Sequence, residues 1–272
     1  MRSFVEHSKN FILGAAIIVV VYVLLALFVP RYDSAVNALQ TNNLKAENFV
    51  LDKKHYKVVC IGSSEMHRVN VSDLSDEWYN LSFQGGGPMT GLELIKKYDL
   101  YPDNVVIEIN DTLLRGADYT IVDSLDRKNI FNRIKYRPDF IFFSLYRPVA
   151  DKVFSGREGR SVNEDLIQSQ IEEHNKPLDE NETIKAIEML EAYVKDLDNH
   201  QVGVYFAWVP NDERLYDTVK FVELRNQLYE SFPEGEYNWI NCDWGDYQTQ
   251  DGIHLCKESA EKYAEFLLSI IN

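Results

Sequence analysis

The sequence has few cysteines and no long basic run, and each shortage excludes a class of protein. Only Cys60, Cys242 and Cys256 occur. Because this is an odd number without a Cys-x-x-Cys pair, neither a disulfide framework nor a zinc ribbon is expected. Lys and Arg number 28 against 43 Asp and Glu, a net charge of −15. A nucleic-acid partner is therefore not expected, since phosphate neutralisation needs clustered basic residues.

Apolar residues, in contrast, are plentiful. Of the 272 residues, 45% are hydrophobic, 12% are aromatic and 26% are charged. This composition is typical of a folded globular chain, and the length suits one large domain or two small ones. Disorder is not expected, and the fold must be stabilised by packing.

One uncharged segment, residues 11–29, stands apart from the rest of the chain. At about 1.5 Å rise per residue, a helix of this length crosses the roughly 30 Å hydrocarbon core of a bilayer. A signal peptide and a buried core helix are the alternatives. The apolar part of a signal peptide is usually only about 7–15 residues, and core helices are seldom apolar all round. We expect an uncleaved transmembrane anchor.

The charges that flank this segment predict its orientation only weakly. Arg2 and Lys9 precede it and Arg31 follows it, so the positive-inside bias is slight, but a long C-terminal domain normally translocates. We expect a single-pass cell-membrane protein with a cytoplasmic N-terminus (residues 1–10) and the bilayer as a partner of residues 11–29. A juxtamembrane stalk (residues 30–54) and an extracytoplasmic domain (residues 55–272) would follow.

From residue 56 onward, short β-branched runs alternate with amphipathic stretches. This pattern is typical of βα units around a mostly parallel sheet flanked by helices, a flavodoxin-like three-layer α/β fold. Strands are predicted over residues 57–61, 78–83, 104–109 and 202–209, and helices over 89–98, 184–197 and 257–271. Residues 115–180 read as an insertion that forms a lid or a contact surface. Its aromatic residues Tyr136, Tyr146 and Phe154 either stack on sugars or belong to a core.

Polar and glycine-rich motifs follow the predicted strands. Functional groups gather beyond the carboxyl ends of parallel strands, and serine chemistry needs a nucleophile, a base, an orienting acid and oxyanion donors. Taken singly, each motif is also compatible with a helix cap, a flexible loop or an Asx-turn. The motifs are Gly62-Ser63-Ser64-Glu65, Gly85-Gly86-Gly87, Asn110-Asp111 and Asp251-Gly252-Ile253-His254.

The order of these motifs resembles that of the SGNH hydrolase superfamily, whose blocks supply a Ser, a Gly, an Asn and a His, with an Asp three residues before the His. The resemblance covers about residues 56–110 and 239–272 and implies an SGNH-like fold without a cofactor. It assigns a catalytic triad of Ser64, Asp251 and His254. It also assigns the oxyanion hole to the backbone N–H groups of Ser64 and Gly85 and to the side-chain amide of Asn110.

The first departure from the family pattern concerns the nucleophile. The usual Gly-Asp-Ser is Gly-Ser-Ser here, and the family places its nucleophile third, which selects Ser64 over Ser63. Glu65 and Gly86 are expected to modulate the site. Glu65 and His67 have no third ligand at metal spacing, so no metal site is expected.

The second departure is Glu108, which replaces the glycine of the usual Gly-x-Asn-Asp block. Residues two apart in a strand share a face, so Glu108 is expected beside Asn110. A carboxylate there would repel a developing oxyanion unless it is paired or protonated. Arg115 or Lys57 could neutralise it. A Glu108 that is buried and ionised beside Asn110 would favour a catalytically silent protein, and a Glu108 that is turned away or salt-bridged would favour an enzyme.

Gly-Ser-Ser-Glu after an N-terminal anchor also resembles the D-alanyl transfer protein of teichoic acid D-alanylation and related exopolysaccharide-modifying proteins. This resemblance implies a serine esterase or O-acyltransferase that acts on an envelope glycan or polyol polymer, with a membrane-bound O-acyltransferase as a partner. The alternative is a silent SGNH-like accessory protein that recruits such an acyltransferase. A carbohydrate-binding module is disfavoured by the complete set of triad and oxyanion residues.

Overall fold

The computed structural model describes residues 2–28, 38–52, 54–126, 133, 136–154 and 162–271. They form two compact units. The first combines Met1–Leu44 with Arg127–Glu158, and the second combines Lys45–Asp126 with Gly159–Asn272.

The helices and strands follow one another in the βα order that the sequence pattern predicts. The helices are α1 (Arg2–Phe28), α2 (Ala38–Asp52), α3 (Ser64–His67), α4 (Val71–Leu74), α5 (Pro88–Tyr98), α6 (Tyr119–Val122), α7 (Pro138–Phe154), α8 (Glu164–His174), α9 (Glu180–Asn199), α10 (Val219–Ser231) and α11 (Lys257–Ile270). The strands are β1 (Val58–Ile61), β2 (Trp78–Asn80), β3 (Asn104–Glu108), β4 (Gly203–Ala207) and β5 (Asn238–Ile240). Short 3₁₀ turns cover Asp111–Arg115, Asp123–Leu125, Glu213–Leu215 and Trp244–Asp246.

Helix α1 is the apolar helix of the first unit. Its stretch Lys9–Ala26 is long and apolar enough to cross a membrane or to serve as a signal sequence, and most of the side chains described in this stretch are exposed. The predicted span ended at Val29, which lies outside the described residues, and the helix itself ends at Phe28.

The second unit is built on a five-stranded parallel sheet with the order β2-β1-β3-β4-β5. From β1 the chain adds β2 on one side and then β3, β4 and β5 on the other, so the strand order switches sides between β1 and β3. Ligands of open α/β sheets bind beyond the carboxyl ends of the strands at such a switch point. Gly62 to Glu65 follow β1 and Asn110 follows β3. The topology alone therefore places these two motifs side by side.

Alternate residues of the strands face two different cores. Val59 and Ile61 of β1 belong to the core that α2, α5, α9 and α10 cover, whereas Val58 and Cys60 belong to the core that α3, α4 and α11 cover. This alternation follows from the two-residue period of a strand. The sheet is thus buried between two helix layers, and the predicted three-layer α/β fold class is confirmed.

Two strands differ from the predicted pattern. Strand β2 ends at Asn80 instead of residue 83, although Leu81 N–H still donates to Cys60 O at 2.7 Å and Phe83 N–H to Gly62 O at 3.0 Å. The edge strand β5 was not predicted, because three residues are too short to show a period.

The predicted stalk is also corrected in part. Residues 45–52 were expected to lie in the stalk, but in the structure Ala46, Phe49 and Val50 are buried in the core of the α/β unit. That unit therefore begins at Lys45 instead of residue 55, because the amphipathic half of α2 covers one sheet face. Residues 30–37 of the expected stalk lie outside the described residues.

The predicted insertion, residues 115–180, divides between the two units. Arg127–Glu158 belong to the first unit, whereas α8 belongs to the α/β unit, where Ile167 is buried. The insertion is therefore not one continuous lid.

Candidate active site

The structure brings Ser64, His254 and Asp251 together beyond the carboxyl end of β1. Ser64 Oγ lies 2.9 Å from His254 Nε2, and His254 Nδ1 lies 2.8 Å from Asp251 Oδ2. Ser64 is half-buried at the first position of α3. The distances fit a hydroxyl, a base that can take its proton and a carboxylate that orients the base.

The carboxylate of Asp251 is held in the form that orients the histidine. It accepts from the backbone N–H of His254 at 3.0 Å and of Ile253 at 3.4 Å. Partial burial raises the pKa of Asp251, but the hydrogen bonds and the charge of His254 outweigh burial and lower the pKa below its usual value. An ionised Asp251 accepts from Nδ1–H of His254, which leaves Nε2 free to accept the Ser64 proton.

Hydrogen bonds within the loop and to a neighbouring segment hold the loop that carries Asp251 and His254. Thr249 and Leu255 form an antiparallel bridge, and Gln250 N–H donates to His254 O at 2.8 Å. Arg68, directly after α3, donates from Nη1 to Gln250 Oε1 at 2.9 Å. This contact ties the histidine loop to the helix that carries Ser64, although the two segments are distant in sequence.

The neighbouring serine has a different environment. Ser63 is buried, and its hydroxyl donates to Glu108 Oε1 at 3.1 Å. It also caps α3 by accepting from Glu65 N–H at 3.2 Å. The hydroxyl of Ser63 is therefore engaged in the fold, and Ser64 is the serine that faces His254.

Glu108 is fully buried directly beneath the start of α3. Its carboxylate accepts from the backbone N–H groups of Ser63 and Met66 and from the Ser63 hydroxyl. The Cβ of any residue other than glycine at position 62 would overlap Glu108 Oε2 and lie 2.7 Å from its Cβ. Gly62 is thus required by the close approach of this carboxyl group.

Neither of the cations proposed for Glu108 pairs with it. Arg115 instead donates from Nη1 to Gly85 O at 3.0 Å, and Lys57 forms no ion pair among the described residues. Glu108 is fully buried under α3. Backbone and hydroxyl donors hold the carboxyl group instead.

The side chain of Asn110 is turned into the fold. Its Nδ2 lies 2.8 Å from Glu65 Oε1, 3.1 Å from Glu108 Oε1 and 3.2 Å from Ser63 Oγ. Its Oδ1 accepts from Thr112 N–H at 3.0 Å, which fixes the orientation of the amide. Because an amide has two N–H donors and two carboxyl groups lie within reach of them, Asn110 is not aimed at an oxyanion.

The remaining expected oxyanion donors are backbone groups. The Ser63, Glu65 and Met66 N–H groups have acceptors, whereas Ser64 N–H has none within the part of the chain that the structure describes. Gly85 is exposed with φ +72°, a conformation that favours glycine, and Gly86 N–H donates to Phe83 O at 3.1 Å in the same turn. The roles of Ser64 N–H and Gly85 N–H stay predictions.

Asn211 belongs to the same buried network and was not predicted. It follows β4 and donates from Nδ2 to Glu65 Oε2 at 2.9 Å, while its own Oδ1 is buried and has no partner among the described residues. A polar residue just after a predicted strand was the available signal, because it marks the functional end of a parallel sheet. The network thus joins residues that follow β1, β3 and β4.

Two carboxyl groups, Glu65 and Glu108, share this buried network. Burial raises the pKa of both, the negative charge of Asp111 raises both further, and Glu108 adds to the shift of Glu65. Glu108 has backbone N–H donors that stabilise its charge, whereas the donors to Glu65 within the described part of the chain are the side-chain amides of Asn110 and Asn211. Glu108, whose pKa burial raises to about 7, therefore ionises before Glu65, whose pKa is raised well above its usual value.

A second buried cluster lies on the other side of α3. Lys45 Nζ lies 2.7 Å from His67 Nδ1 and donates to Ser82 O at 2.9 Å, and the Gln84 amide lies 2.8 Å from His67 Nε2. Burial lowers the pKa of Lys45 to about 7, and burial with the Lys45 charge lowers the pKa of His67 to about 3. Glu65 and His67, which the sequence places two apart, thus belong to separate networks.

Comparison with known proteins found solved structures similar to this chain, of which two are described here. A "putative acylhydrolase" of Bacteroides fragilis is 10% identical with a TM-score of 0.47, covering 83% of this chain and 95% of its own. A "GDSL-like lipase" of Bacteroides thetaiotaomicron is 9% identical with a TM-score of 0.46, covering 84% and 98%. No protein-family model and no curated protein sequence matches the chain. The chemistry of the site therefore rests on its own geometry.

Proposed function

We propose that the chain is a membrane-anchored, extracytoplasmic serine esterase or O-acyltransferase that acts on acyl esters of an envelope polysaccharide or teichoic-acid-like polymer. The observation that carries the proposal is the continuous hydrogen-bond chain from Ser64 through His254 to Asp251. Such a chain lets a serine hydroxyl lose its proton as it attacks.

The reaction follows from this geometry in two steps. In the first, Ser64 Oγ attacks the acyl carbonyl carbon while His254 takes its proton, and His254 then protonates the leaving alcohol as the ester bond breaks. In the second, His254 takes a proton from water or from a hydroxyl of the acceptor, which attacks the acyl-serine, and His254 then returns this proton to Ser64 Oγ as the acyl–serine bond breaks. Asp251 stabilises the imidazolium in both steps, and backbone N–H groups hold the oxyanion.

A silent accessory protein that recruits a membrane-bound O-acyltransferase is the second candidate. It is favoured by Glu108, which is buried beside Asn110 and pairs with no cation among the described residues, and by the Asn110 amide, whose donors face Glu65 and Glu108. An oxyanion hole without this amide would rest on backbone donors alone. Removal of one oxyanion-hole donor typically lowers kcat by a factor of about 10²–10³.

Turnover of an activated ester separates these candidates. We expect the purified full-length chain to release p-nitrophenol from p-nitrophenyl acetate and, with a polyol present, to form the acetylated polyol. Acetate as the sole acyl product would identify an esterase, and polyol ester would identify a transferase. The same preparation carrying Ser64→Ala is the control. If the native chain releases no more p-nitrophenol than this variant does, the accessory role is favoured.

The proposed topology has its own test. Met189 is exposed on α9 of the α/β unit, so in a chain carrying Cys242→Ser and Cys256→Ser we expect Met189→Cys to react with a membrane-impermeant maleimide on intact cells. Ser3→Cys, which precedes the span, should react only after the membrane is permeabilised. The reverse pattern would place the domain in the cytoplasm and remove envelope polymers from the candidate substrates.

A further inference from the structure

Helix α7 of the first unit carries an exposed apolar stripe. Phe142 is 64% exposed, Leu145 43%, Tyr146 62% and Val149 61%. The spacing of these residues puts them on one face of the helix. Phe140, Ile141 and Ser144 on the opposite face are buried, so α7 already packs by one side and presents the other. An exposed apolar face of this kind marks a binding surface.

The start of α7 lies beside the end of the apolar helix α1. The Tyr22 hydroxyl of α1 donates to the backbone oxygen of Tyr136, two residues before α7. Tyr22 is six residues before the end of α1 at Phe28, which corresponds to about 9 Å along the helix axis. If α1 spans a bilayer, Tyr136 therefore lies in the outer part of the hydrocarbon on the side where the chain leaves the span.

Two further contacts hold α7 within this unit. Gln40 Nε2 on α2 donates to Asp139 Oδ2 at 3.1 Å, and Leu44 packs against Phe140. Helix α7 is therefore attached through its buried face to the segment that directly follows the apolar helix. The exposed stripe is left for another partner.

The charge of the segment that contains α7 differs from that of the rest of the chain. Residues 127–158 carry eight Lys and Arg against three Asp and Glu, a net charge of +5, whereas the remaining residues carry −20. An apolar stripe combined with a basic segment is typical of helices that lie in the headgroup region of anionic membranes. An acidic protein surface, such as that of the rest of this chain, could also attract the basic segment. It would not, however, offer acyl chains in which Phe142 and Tyr146 could be buried.

We propose that α7 is a second membrane-binding element, which lies along the surface of an anionic bilayer with Phe142, Tyr146 and Val149 among the upper acyl chains. The inference rests on the proposed membrane anchor. It replaces the sugar-stacking role considered for Tyr146 from the sequence. The side chain of Phe154 lies outside the described residues.

Quenching of an added tryptophan by brominated lipid tests this inference. The full-length chain is reconstituted into nanodiscs of phosphatidylcholine and phosphatidylglycerol, with and without bromine on the acyl chains near the headgroup. We expect the fluorescence added by Phe142→Trp or Val149→Trp, relative to the native chain with its four tryptophans, to be mostly lost in brominated discs. Both positions are exposed, so both variants should melt at the native temperature.

Two matched variants make the result decisive. Ile184→Trp lies on α9, where the native side chain is 45% exposed, and should not be quenched. Leu24→Trp lies near the end of the apolar helix, where the native side chain is 49% exposed, and should be quenched strongly. Quenching at Leu24→Trp but not at Phe142→Trp or Val149→Trp would overturn the inference and leave the anchor intact. No quenching at any of the three would overturn the anchor as well.

The lipid charge and a protein partner are tested separately. Equal quenching in discs of phosphatidylcholine alone would overturn the requirement for anionic lipid. A photoreactive benzophenone residue at position 142 in producing cells should crosslink to lipid. Crosslinking to a protein in place of lipid would show that the stripe binds a membrane protein, which also contradicts the inference.

Discussion

Replacing Ser64 or His254 by alanine is expected to lower ester turnover by a factor of at least about 10³. Each change removes one member of a hydrogen-bonded relay, with 2.9 Å between Ser64 Oγ and His254 Nε2. Because members of such a relay act as a unit, the double variant should be barely slower than either single one. Initial rates with p-nitrophenyl acetate, measured at equal folded fractions, provide the test.

A fluorophosphonate probe should label Ser64 and fail to label the His254→Ala variant. Ser269→Ala, at an exposed position of α11, is the control and should keep native turnover and labelling. The Ser63→Ala variant should keep ester turnover and probe labelling at Ser64. Its free energy of unfolding should fall by about 1 kcal/mol, because the Ser63 hydroxyl caps α3. A probe adduct on Ser63, or full activity in Ser64→Ala, would show that the nucleophile is assigned to the wrong serine.

The second large effect is expected at the buried carboxyl pair. Glu108→Gln should lower the free energy of unfolding by about 1–3 kcal/mol, because an amide nitrogen then faces donors that need an acceptor. The Ser63 backbone N–H and the Asn110 amide are such donors. Glu65→Gln should cost less. Asn211 can rotate its amide and offer the unpartnered Oδ1 to the new N–H group.

The same pair predicts how stability depends on pH. A carboxyl group whose pKa is raised by burial contributes stability that is fully present below its unfolded pKa, near 4.5. That contribution is lost as the pH rises toward the folded pKa, and the loss is about 1.4 kcal/mol for every pH unit that separates the two pKa values. Glu108 titrates in the same range, because burial raises its pKa to about 7, so each Gln variant removes one of two titrating groups. We therefore expect the stability of each variant to fall less than that of the native chain between pH 5 and pH 8.

Denaturant unfolding of the native chain and both Gln variants at these two pH values provides the measurement. Both variants should reduce the difference between pH 5 and pH 8, and Glu65→Gln should reduce it more, because the pKa of Glu65 is raised well above its usual value and that of Glu108 to about 7. If Glu108→Gln removes the difference and Glu65→Gln keeps it, Glu108 holds its proton more tightly than Glu65, and the order of ionisation in the network is wrong.

Local sequence determined the elements whose signal is contiguous. Four strands, the amphipathic helices and the apolar helix α1 follow from residue periods and from uncharged length, which depend on neighbours along the chain. The motifs that contain Ser64, Asp251 and His254 were found for the same reason. Each motif follows a predicted strand or precedes a predicted helix, and parallel strands bring such ends together.

Only the tertiary structure decided the orientation of the side chains at these strand ends. Asn110 turns toward Glu65 and Glu108 because two buried carboxyl groups need donors, and this demand arises from contacts between separate strands. Asn211 and Glu65 are paired across 146 positions. Lys45, which the sequence suggested was part of a stalk, contacts His67 because α2 covers the sheet. Such pairings depend on which surfaces become buried together, and no local pattern of residues encodes that.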